Sequence, residues 1–192
     1  MEEIEIKFLE IDVEALEKKL GEIGAQKAGE YFYRRSLFDY PDLRLEKSGK
    51  WLRIRDEGDK VTMTSKSIPG FTSQEEIAKD VVVMEDEMTV GDFKTACTIC
   101  NSIGLIEKRY EENRRIRYTY EGVEIDIDFW PKIPPFVEIE GPTLEAVEDV
   151  ATKIGFNVTE AVRYGASSIY NRHYNIDLRE YKKITFEEWI KK

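Results

Sequence analysis

The most constraining feature of the sequence is an alternation that recurs along its strand-like segments. In the opening stretch Glu3-Ile4-Glu5-Ile6-Lys7, the isoleucines would share one face of a β-strand and the charged residues the other. The same alternation places charges together in five later segments, which carry Arg53 and Arg55, Lys66, Arg115 and Arg117, Asp126 and Asp128, and Glu138 and Glu140. The pattern predicts a sheet with one apolar face and one charged face, and the charged face is either solvated or enclosed.

Helical segments separate and follow these strands, and their apolar sides are expected to pack on the apolar face of the sheet. Asp12 is suited to cap a helix that ends at Gly24, and Thr143 to cap one that ends at Gly155. A third helix is predicted from Val90 to Ile103, with Thr89 as its cap. Strands are predicted at residues 31–40, 51–55, 61–67, 115–120, 123–128 and 136–140, and one or two short helices from Arg163 onwards. A further strand is predicted after the loop at Pro69-Gly70, with residues 81–83 as its apolar end.

If helices cover the apolar face outside a closed sheet, the charged faces line an enclosed space. Such a space would be costly when empty, because buried like charges repel and charge burial is unfavourable. Divalent cations would satisfy the carboxylates, and phosphate oxygens would satisfy the arginines and lysines. Mg²⁺ uses one or two carboxylates together with phosphates and water. The charged residues therefore indicate a site for a metal ion and a polyphosphate.

Composition narrows the class of partner. A single domain spanning residues 1–192 is expected, because the chain contains no linker, repeat or low-complexity segment. The net charge of −10 argues against nucleic-acid binding, whereas local arginine groups suit a small anionic ligand. No apolar run resembles a membrane span or a secretory signal, and two cysteines give no disulfide framework. A cytoplasmic location without membrane contact is therefore expected.

Several motifs occur in the order and spacing of a known family. The chain resembles the CYTH superfamily, the triphosphate tunnel metalloenzymes, whose N-terminal signature ExExK is matched by Glu3, Glu5 and Lys7. The further matches are Phe38-Asp39-Tyr40-Pro41-Asp42, Trp51-Leu52-Arg53-Ile54-Arg55, Thr64-Ser65-Lys66, Arg115-Ile116-Arg117-Tyr118-Thr119-Tyr120, Asp128, and Phe136-Val137-Glu138-Ile139-Glu140-Gly141. One such motif is weak, but six in order are specific.

The resemblance implies an α+β fold with a closed eight-stranded antiparallel β-barrel, the triphosphate tunnel, and helices packed outside it. It implies that Mg²⁺ or Mn²⁺ is held by Glu3, Glu5, Asp128, Glu138 and Glu140. It also implies that a triphosphate is bound by Lys7, Arg53, Arg55, Lys66, Arg115 and Arg117, with Lys7 and Lys66 as catalytic residues. Members of the family often form homodimers. The pattern does not decide between Arg34 and Arg35 for the enclosed face, or between a role of Asp126 in supporting Asp128 and a place at the tunnel mouth.

Three functions are compatible with these residues. We favour a metal-dependent hydrolase of a triphosphate (inorganic, thiamine or nucleoside), because water needs no nucleotide pocket. A class IV adenylate cyclase, making cyclic AMP and pyrophosphate from ATP, is the alternative, and a non-catalytic polyphosphate-binding or nucleotide-binding module is the third. Trp51 either stacks on the organic part of the substrate, as in thiamine triphosphatases, or fills the core. Those enzymes have a tyrosine that Leu37-Phe38-Asp39 does not supply.

Overall fold

The computed structural model describes residues 4–72 and 83–192, which pack as two compact units. Unit I comprises the described parts of Phe32–Asn113 together with Tyr164–Lys192, and unit II comprises Ile4–Tyr31 and Arg114–Arg163. Two long strands contribute residues to both units. No helix among the described residues is long and apolar enough to cross a membrane.

Among the described residues, single strands and runs of two or three strands are separated by helices. The strands are β1 (Glu5–Phe8), β2 (Gln26–Asp39), β3 (Lys50–Asp56), β4 (Val61–Ser67), β5 (Met84–Val90), β6 (Ile106–Tyr120), β7 (Val123–Phe129), β8 (Phe136–Glu140), β9 (Tyr181–Ile184) and β10 (Trp189–Lys191). The α-helices are α1 (Val13–Ile23), α2 (Arg44–Lys47), α3 (Phe93–Ser102), α4 (Leu144–Lys153) and α5 (Ala166–Tyr174). The antiparallel sheet and its helices confirm the predicted α+β class.

The strand order is β1-β8-β7-β6-β2-β3-β4-β5, with β9 and β10 attached at β6. Eight strands therefore form the main path, as expected, but no pairing among the described residues joins its two end strands. The outer edge of β1 is used by another segment, because the backbone groups of Lys7 and Val162 exchange hydrogen bonds of 2.8 and 2.9 Å. The sheet of the described residues is open, so the prediction of a closed barrel was wrong for them, because the outer edge of β1 pairs with Val162.

Unit II has its core on the apolar face of β1, β8, β7 and β6. The side chains of Ile6, Ile125 and Ile139 are fully buried there against α1 and α4. Helix α1 begins where the sequence predicted, since the Asp12 carboxylate accepts a hydrogen bond of 3.1 Å from the backbone N–H of Ala15. It ends at Gly24, whose φ of 80° is readily adopted by glycine. The charged face of these strands lies opposite this core.

Unit I is organised in the same way, with α3 on the apolar faces of β2 and β3. Phe38 and Ile54 are fully buried there against Ala96 and Cys100 of the helix. Helix α3 begins three residues later than predicted, and its cap is Asp92, whose carboxylate accepts from the N–H of Thr95 at 2.7 Å. The predicted start was wrong because Thr89 and Val90 belong to β5.

The tail also departs from the prediction. Helix α5 was expected, but β9 and β10 were not. They form an antiparallel hairpin, and β9 pairs in parallel with β6 at Tyr110 and Glu111. Lysines occupy three of the seven strand positions, and neither strand has the apolar alternation that would have indicated it.

A buried carboxylate organises the turn after β2. Asp39 is fully buried, and its oxygens accept hydrogen bonds from the backbone N–H groups of Tyr40 at 2.7 Å and of Leu45 and Glu46 at 3.0 Å. Asp39 thereby satisfies N–H groups at the start of the short helix α2, which the helix itself cannot satisfy. The Phe-Asp-Tyr-Pro-Asp motif therefore has a structural role at this position.

We expect Asp39→Ala to lower the free energy of unfolding by about 3 kcal/mol, because it leaves three backbone donors without their charged acceptor. Asp42→Ala is the matched control: Asp42 is exposed and pairs with Arg44, so its loss is expected to stay within about 0.5 kcal/mol. Urea unfolding monitored by circular dichroism measures both. Equal stabilities of the two variants would contradict the role given to Asp39.

Candidate metal and phosphate sites

Three carboxylates of unit II converge on one point. Glu5 on β1 lies opposite Glu140 on β8 in the strand register, and Glu138 is two residues before Glu140. One oxygen from each of these three carboxylates lies within 4.8 Å of the other two. Hard carboxylate oxygens are ligands suited to Mg²⁺ and Mn²⁺. Glu3, the remaining N-terminal carboxylate predicted as a ligand, lies outside the described residues.

Lys7 lies beside these carboxylates and is almost completely buried, with 2% of its surface exposed. Its ammonium group contacts the carboxylate of Glu5 and lies 3.3 Å from that of Glu138. Burial alone would lower the pKa of Lys7, but the charges of Glu138 and Glu5 outweigh it and raise that pKa above its ordinary value. Lys7 is therefore a charged group at neutral pH.

Arg115 lies at the centre of a second group of charged side chains in unit II. Its guanidinium donates to Asp128 at 2.8 and 2.6 Å, to Asp126 at 2.5 Å and to Glu138 at 3.3 Å. Burial would lower the pKa of Arg115, but these carboxylates, Asp128 first, raise it well above its usual range. The open question about Asp126 is thus resolved: it lies with Asp128, and Arg117 also donates to it at 2.8 and 2.7 Å.

Asp128 differs from the three glutamates in its surroundings. Burial raises its pKa, and the charge of Arg115 only partly opposes that shift. Among the described residues, the group whose carboxylate oxygens could hold one ion contains Glu5, Glu138 and Glu140, and Asp128 is not in it. The metal-ligand role predicted for Asp128 stays a prediction.

Unit I carries its own charged face on β3, β4 and β5. Lys66 lies 2.5 Å from Glu85, and Arg53 lies 3.6 Å from Glu85 and 3.5 Å from Glu87. The hydroxyl of Thr64 donates to Glu87 at 2.8 Å and accepts from Arg53 at 3.2 Å. Burial would raise the pKa of Glu87, but this hydrogen bond and the neighbouring arginines lower it. The predicted cations thus lie on adjacent strands, interleaved with carboxylates.

Arg55 is held by a carboxylate that the sequence analysis missed. Glu57, with 6% of its surface exposed, accepts from the Nε and Nη2 atoms of Arg55 at 2.9 and 2.7 Å and from the hydroxyl of Thr62 at 3.2 Å. Glu57 lies between the strands predicted at residues 51–55 and 61–67, where the sequence indicated no functional residue. Glu85 and Glu87 were also missed, because the three consecutive acidic residues Glu85-Asp86-Glu87 give no alternation that would assign them to one face.

The adjacent residues Arg34 and Arg35 of β2 have different surroundings. Arg34 is exposed and pairs with Asp56, whereas Arg35 is 9% exposed and donates to the side-chain oxygen of the fully buried Asn113. In the strand register Arg35 lies opposite Arg55. Arg35, and not Arg34, therefore belongs to the face that carries Arg53 and Arg55.

Trp51 is partly buried and lies opposite Lys66 in the register of β3 and β4. By strand alternation it shares the face of Arg53 and Arg55. An aromatic surface next to phosphate-binding cations is suited to stacking on a planar ring. Its role as a stacking residue stays a prediction.

Comparison with known proteins gives a family and a fold. The family model described as CYTH domain matches residues 1–174. A candidate adenylate cyclase of Vibrio parahaemolyticus has a similar structure, with a TM-score of 0.73 and 14% sequence identity over 89% of this chain and 98% of that one. The PH1012 protein of Pyrococcus horikoshii gives a TM-score of 0.67 and 23% identity over 85% and 96%.

A third similar structure is a candidate adenylyl cyclase of Hippeastrum with a dominant triphosphatase activity. Its TM-score is 0.58 and its identity 18%, over 91% of this chain and 96% of that one. At these identities the likeness is one of fold. No curated protein gives a significant match.

We expect Arg115→Leu to lower the free energy of unfolding by about 3–5 kcal/mol at neutral pH in the presence of EDTA. The buried carboxylates of Asp126 and Asp128 then lose the positively charged guanidinium group that neutralises them. The loss should shrink towards about pH 4. A carboxyl group whose native pKa is raised contributes stability below its unfolded pKa and loses it as the pH rises through the native value. Without Arg115 the pKa of Asp128 rises further. At low pH Asp128 is then protonated, and its buried negative charge no longer destabilises the variant.

Arg114→Leu serves as the control, because Arg114 is the exposed neighbour on the same strand. Its effect is expected to stay within about 0.5 kcal/mol at both pH values. Urea titrations of both variants at pH 7 and pH 4.5 measure the difference. A loss for Arg115→Leu that does not change with pH would show that the carboxylates are not its cause.

Proposed function

The chain belongs to the CYTH family, and on that premise we propose that it is a divalent-metal-dependent hydrolase of a triphosphate. Members of the family are triphosphatases or adenylate cyclases, and both reactions cleave a phosphoanhydride bond. The proposal identifies the attacking group as water.

The observation that carries the proposal is the convergence of Glu5, Glu138 and Glu140 on one point, with their oxygens within 4.8 Å of one another. Three hard oxygen ligands fit Mg²⁺ or Mn²⁺ with coordination positions left for phosphate oxygens and water. A divalent ion bound there would neutralise phosphate charge and make a bound water more acidic.

Lys7 has two tasks in this proposal. Its charge offsets the mutual repulsion of Glu5 and Glu138 before a cation binds. If the carboxylates held a cation, the N–H groups of Lys7 would be available to a phosphate oxygen, and the positive charge of Lys7 would stabilise the negative charge that develops as the anhydride bond breaks. Arg115 and Arg117 hold Asp126 and Asp128 in place next to this group.

In unit I, the proposed ligands of phosphate oxygens are Arg53, Arg55 and Lys66. Their present partners are the carboxylates of Glu57, Glu85 and Glu87, which orient them. Arginine forks and a lysine ammonium are the usual donors to phosphate. Lys66, paired directly with Glu85, is the candidate for stabilising charge on the leaving group.

The adenylate cyclase alternative uses the same phosphate-binding groups with a ribose hydroxyl as the nucleophile. The likeness to a candidate cyclase of Vibrio parahaemolyticus supports the shared fold and leaves the nucleophile open. The products decide between the two reactions, since only the cyclase releases cyclic AMP.

We expect phosphate release from tripolyphosphate, ATP or thiamine triphosphate when each is incubated with the protein and Mg²⁺ or Mn²⁺, and no release in EDTA. Phosphate, pyrophosphate and cyclic AMP are quantified in every reaction. Cyclic AMP with equal amounts of pyrophosphate from ATP would establish the cyclase instead. Binding of a triphosphate without any product would establish a binding module.

Glu5→Gln and Glu140→Gln are expected to abolish metal-dependent turnover, because an amide removes the charge that holds the cation. Mn²⁺ affinity, measured by titration calorimetry, should fall with turnover in both variants. Glu145→Gln is the control, since Glu145 is exposed in the first turn of α4. Full activity of both site variants would refute the proposed metal site.

A further inference from the structure

Strand β1 carries two charged residues of the site in unit II although it is only four residues long. Glu5 and Lys7 lie on it, and β8 pairs along one of its edges, with Lys7 opposite Glu138. Across the other edge the N–H of Lys7 donates to the carbonyl of Val162 at 2.8 Å, and the N–H of Val162 donates to the carbonyl of Lys7 at 2.9 Å. These two residues form an isolated antiparallel bridge.

The bridge fixes how Lys7 faces its carboxylate partner on β8. The N–H and C=O of one residue in an antiparallel strand point to the same edge, so both backbone groups of Lys7 point to Val162 and away from β8. Lys7 and Glu138 are consequently a pair without mutual backbone hydrogen bonds, the kind in which opposite side chains lie closest. This geometry agrees with the 3.3 Å between the ammonium group of Lys7 and the carboxylate of Glu138.

Pairing with β8 alone would hold this end of β1 weakly. A strand at the edge of a sheet is hydrogen-bonded on one side only, and Lys7 is the last residue but one of β1. Short elements open from their ends. If β1 opened at Lys7, which is 2% exposed, the ammonium group would move into water. The carboxylates of Glu5 and Glu138 would then repel each other without a cation between them.

The segment that supplies Val162 is itself held in place. Residues 156–162, the β1 strap, follow α4. The ring of Phe156 stacks on that of Phe8, with ring centroids 4.3 Å apart and an angle of 9° between the planes. The N–H of Phe156 donates to the carbonyl of Ala151 in α4 at 2.9 Å, and the 3₁₀ helix Val158–Glu160 forms the middle of the strap. The strap therefore connects α4 to the outer edge of β1.

We propose that Val162 is a positioning residue for Lys7, which it holds between the carboxylates of Glu5 and Glu138 through its two backbone hydrogen bonds. The inference rests on the proposed function for the part that Lys7 plays in turnover, whereas the positioning itself requires no turnover. It also gives a use to the outer edge of β1. The β1 strap, and not a further strand of the sheet, fixes Lys7 from that side by contacts within unit II.

The test is the acylation rate of Lys7 in the folded full chain in EDTA, measured by mass spectrometry relative to the exposed Lys153. Val162→Pro removes the N–H that donates to Lys7. The preceding Ala161 has φ −64° and ψ 140°, a conformation that a residue before proline adopts readily. We expect the relative acylation of Lys7 to rise about tenfold, because the loss of this hydrogen bond favours opening of β1.

Turnover of tripolyphosphate with Mg²⁺ gives a second readout. Val162→Pro is expected to lower kcat about tenfold and to change KM less than about twofold, because the proposed role of Lys7 is to stabilise charge that develops during the reaction. A change of KM with an unchanged kcat would overturn this link to turnover.

Val158→Pro is the matched control. It makes the same substitution at the first residue of the 3₁₀ helix, a position that suits proline, after the extended Asn157. It is expected to leave kcat and the acylation of Lys7 unchanged. Val162→Ala retains both backbone hydrogen bonds and is expected to keep Lys7 protected from acylation.

Equal acylation of Lys7 in Val162→Pro and in the native protein would overturn the inference. An equal rise in Val158→Pro would also overturn it, because the strap would then act on the fold as a whole. If circular dichroism shows that Val162→Pro does not fold, amide hydrogen exchange of the native protein decides. The N–H groups of Lys7 and Val162 should exchange at similar, slow rates, and exchange of either at the rate of an exposed amide would refute the bridge. Protection of Lys7 that depends on Val162, in a protein that hydrolyses no triphosphate, would support the positioning and refute only the proposed function.

Discussion

The fold depends on pairing its buried carboxylates with buried lysine and arginine side chains. In unit II, Arg115 spans Asp126, Asp128 and Glu138, and Lys7 spans Glu5 and Glu138. Removing one partner of such a pair would leave a charge without water or a counterion, which costs several kcal/mol. The sheet can therefore carry charged side chains on its buried face only as a connected set.

This dependence links folding to ligand binding. If the proposed ligands bind, each carboxylate that turned towards a metal ion would release the lysine or arginine that neutralises it, and each lysine or arginine that turned towards a phosphate would release a carboxylate. A metal ion and a phosphate group bound together would preserve the balance of charge, whereas either alone would disturb it.

The sequence correctly predicted structural features, such as helix caps, that depend on residues close together in the chain. The Asp12 cap and the Gly24 end of α1 were correct, because a cap bonds within its own first turn. The start of α3 was wrong, because Thr89 is a plausible cap by type and only its pairing with Thr62 on β4 assigns it to a strand. The strand alternation correctly grouped Glu5, Glu138 and Glu140, although they come from distant parts of the sequence.

Contacts between strands were harder to predict. Nothing near Arg34 and Arg35 distinguishes them, and the difference lies in Asp56 and Asn113, which are 22 and 78 residues away from their partners. Glu57 reads as a turn residue until Arg55 and Thr62 are seen to contact it. Residue type and alternation thus identified the charged face, whereas the pairing within it required the fold.

The hairpin of β9 and β10 lies beyond the end of the match to the family model and completes the sheet of unit I. The match to the CYTH family ends at residue 174, yet the following residues supply Leu178 and Ile184 to the buried interior of unit I, and the carbonyl of Leu178 accepts from the buried Arg109. A protein shortened at the family boundary would expose the edge of β6 at Tyr110 and Glu111, where β9 now pairs. An unpaired strand edge invites association with other chains. The eighteen residues after the family match therefore cover a strand edge that would otherwise be open to pairing with another chain.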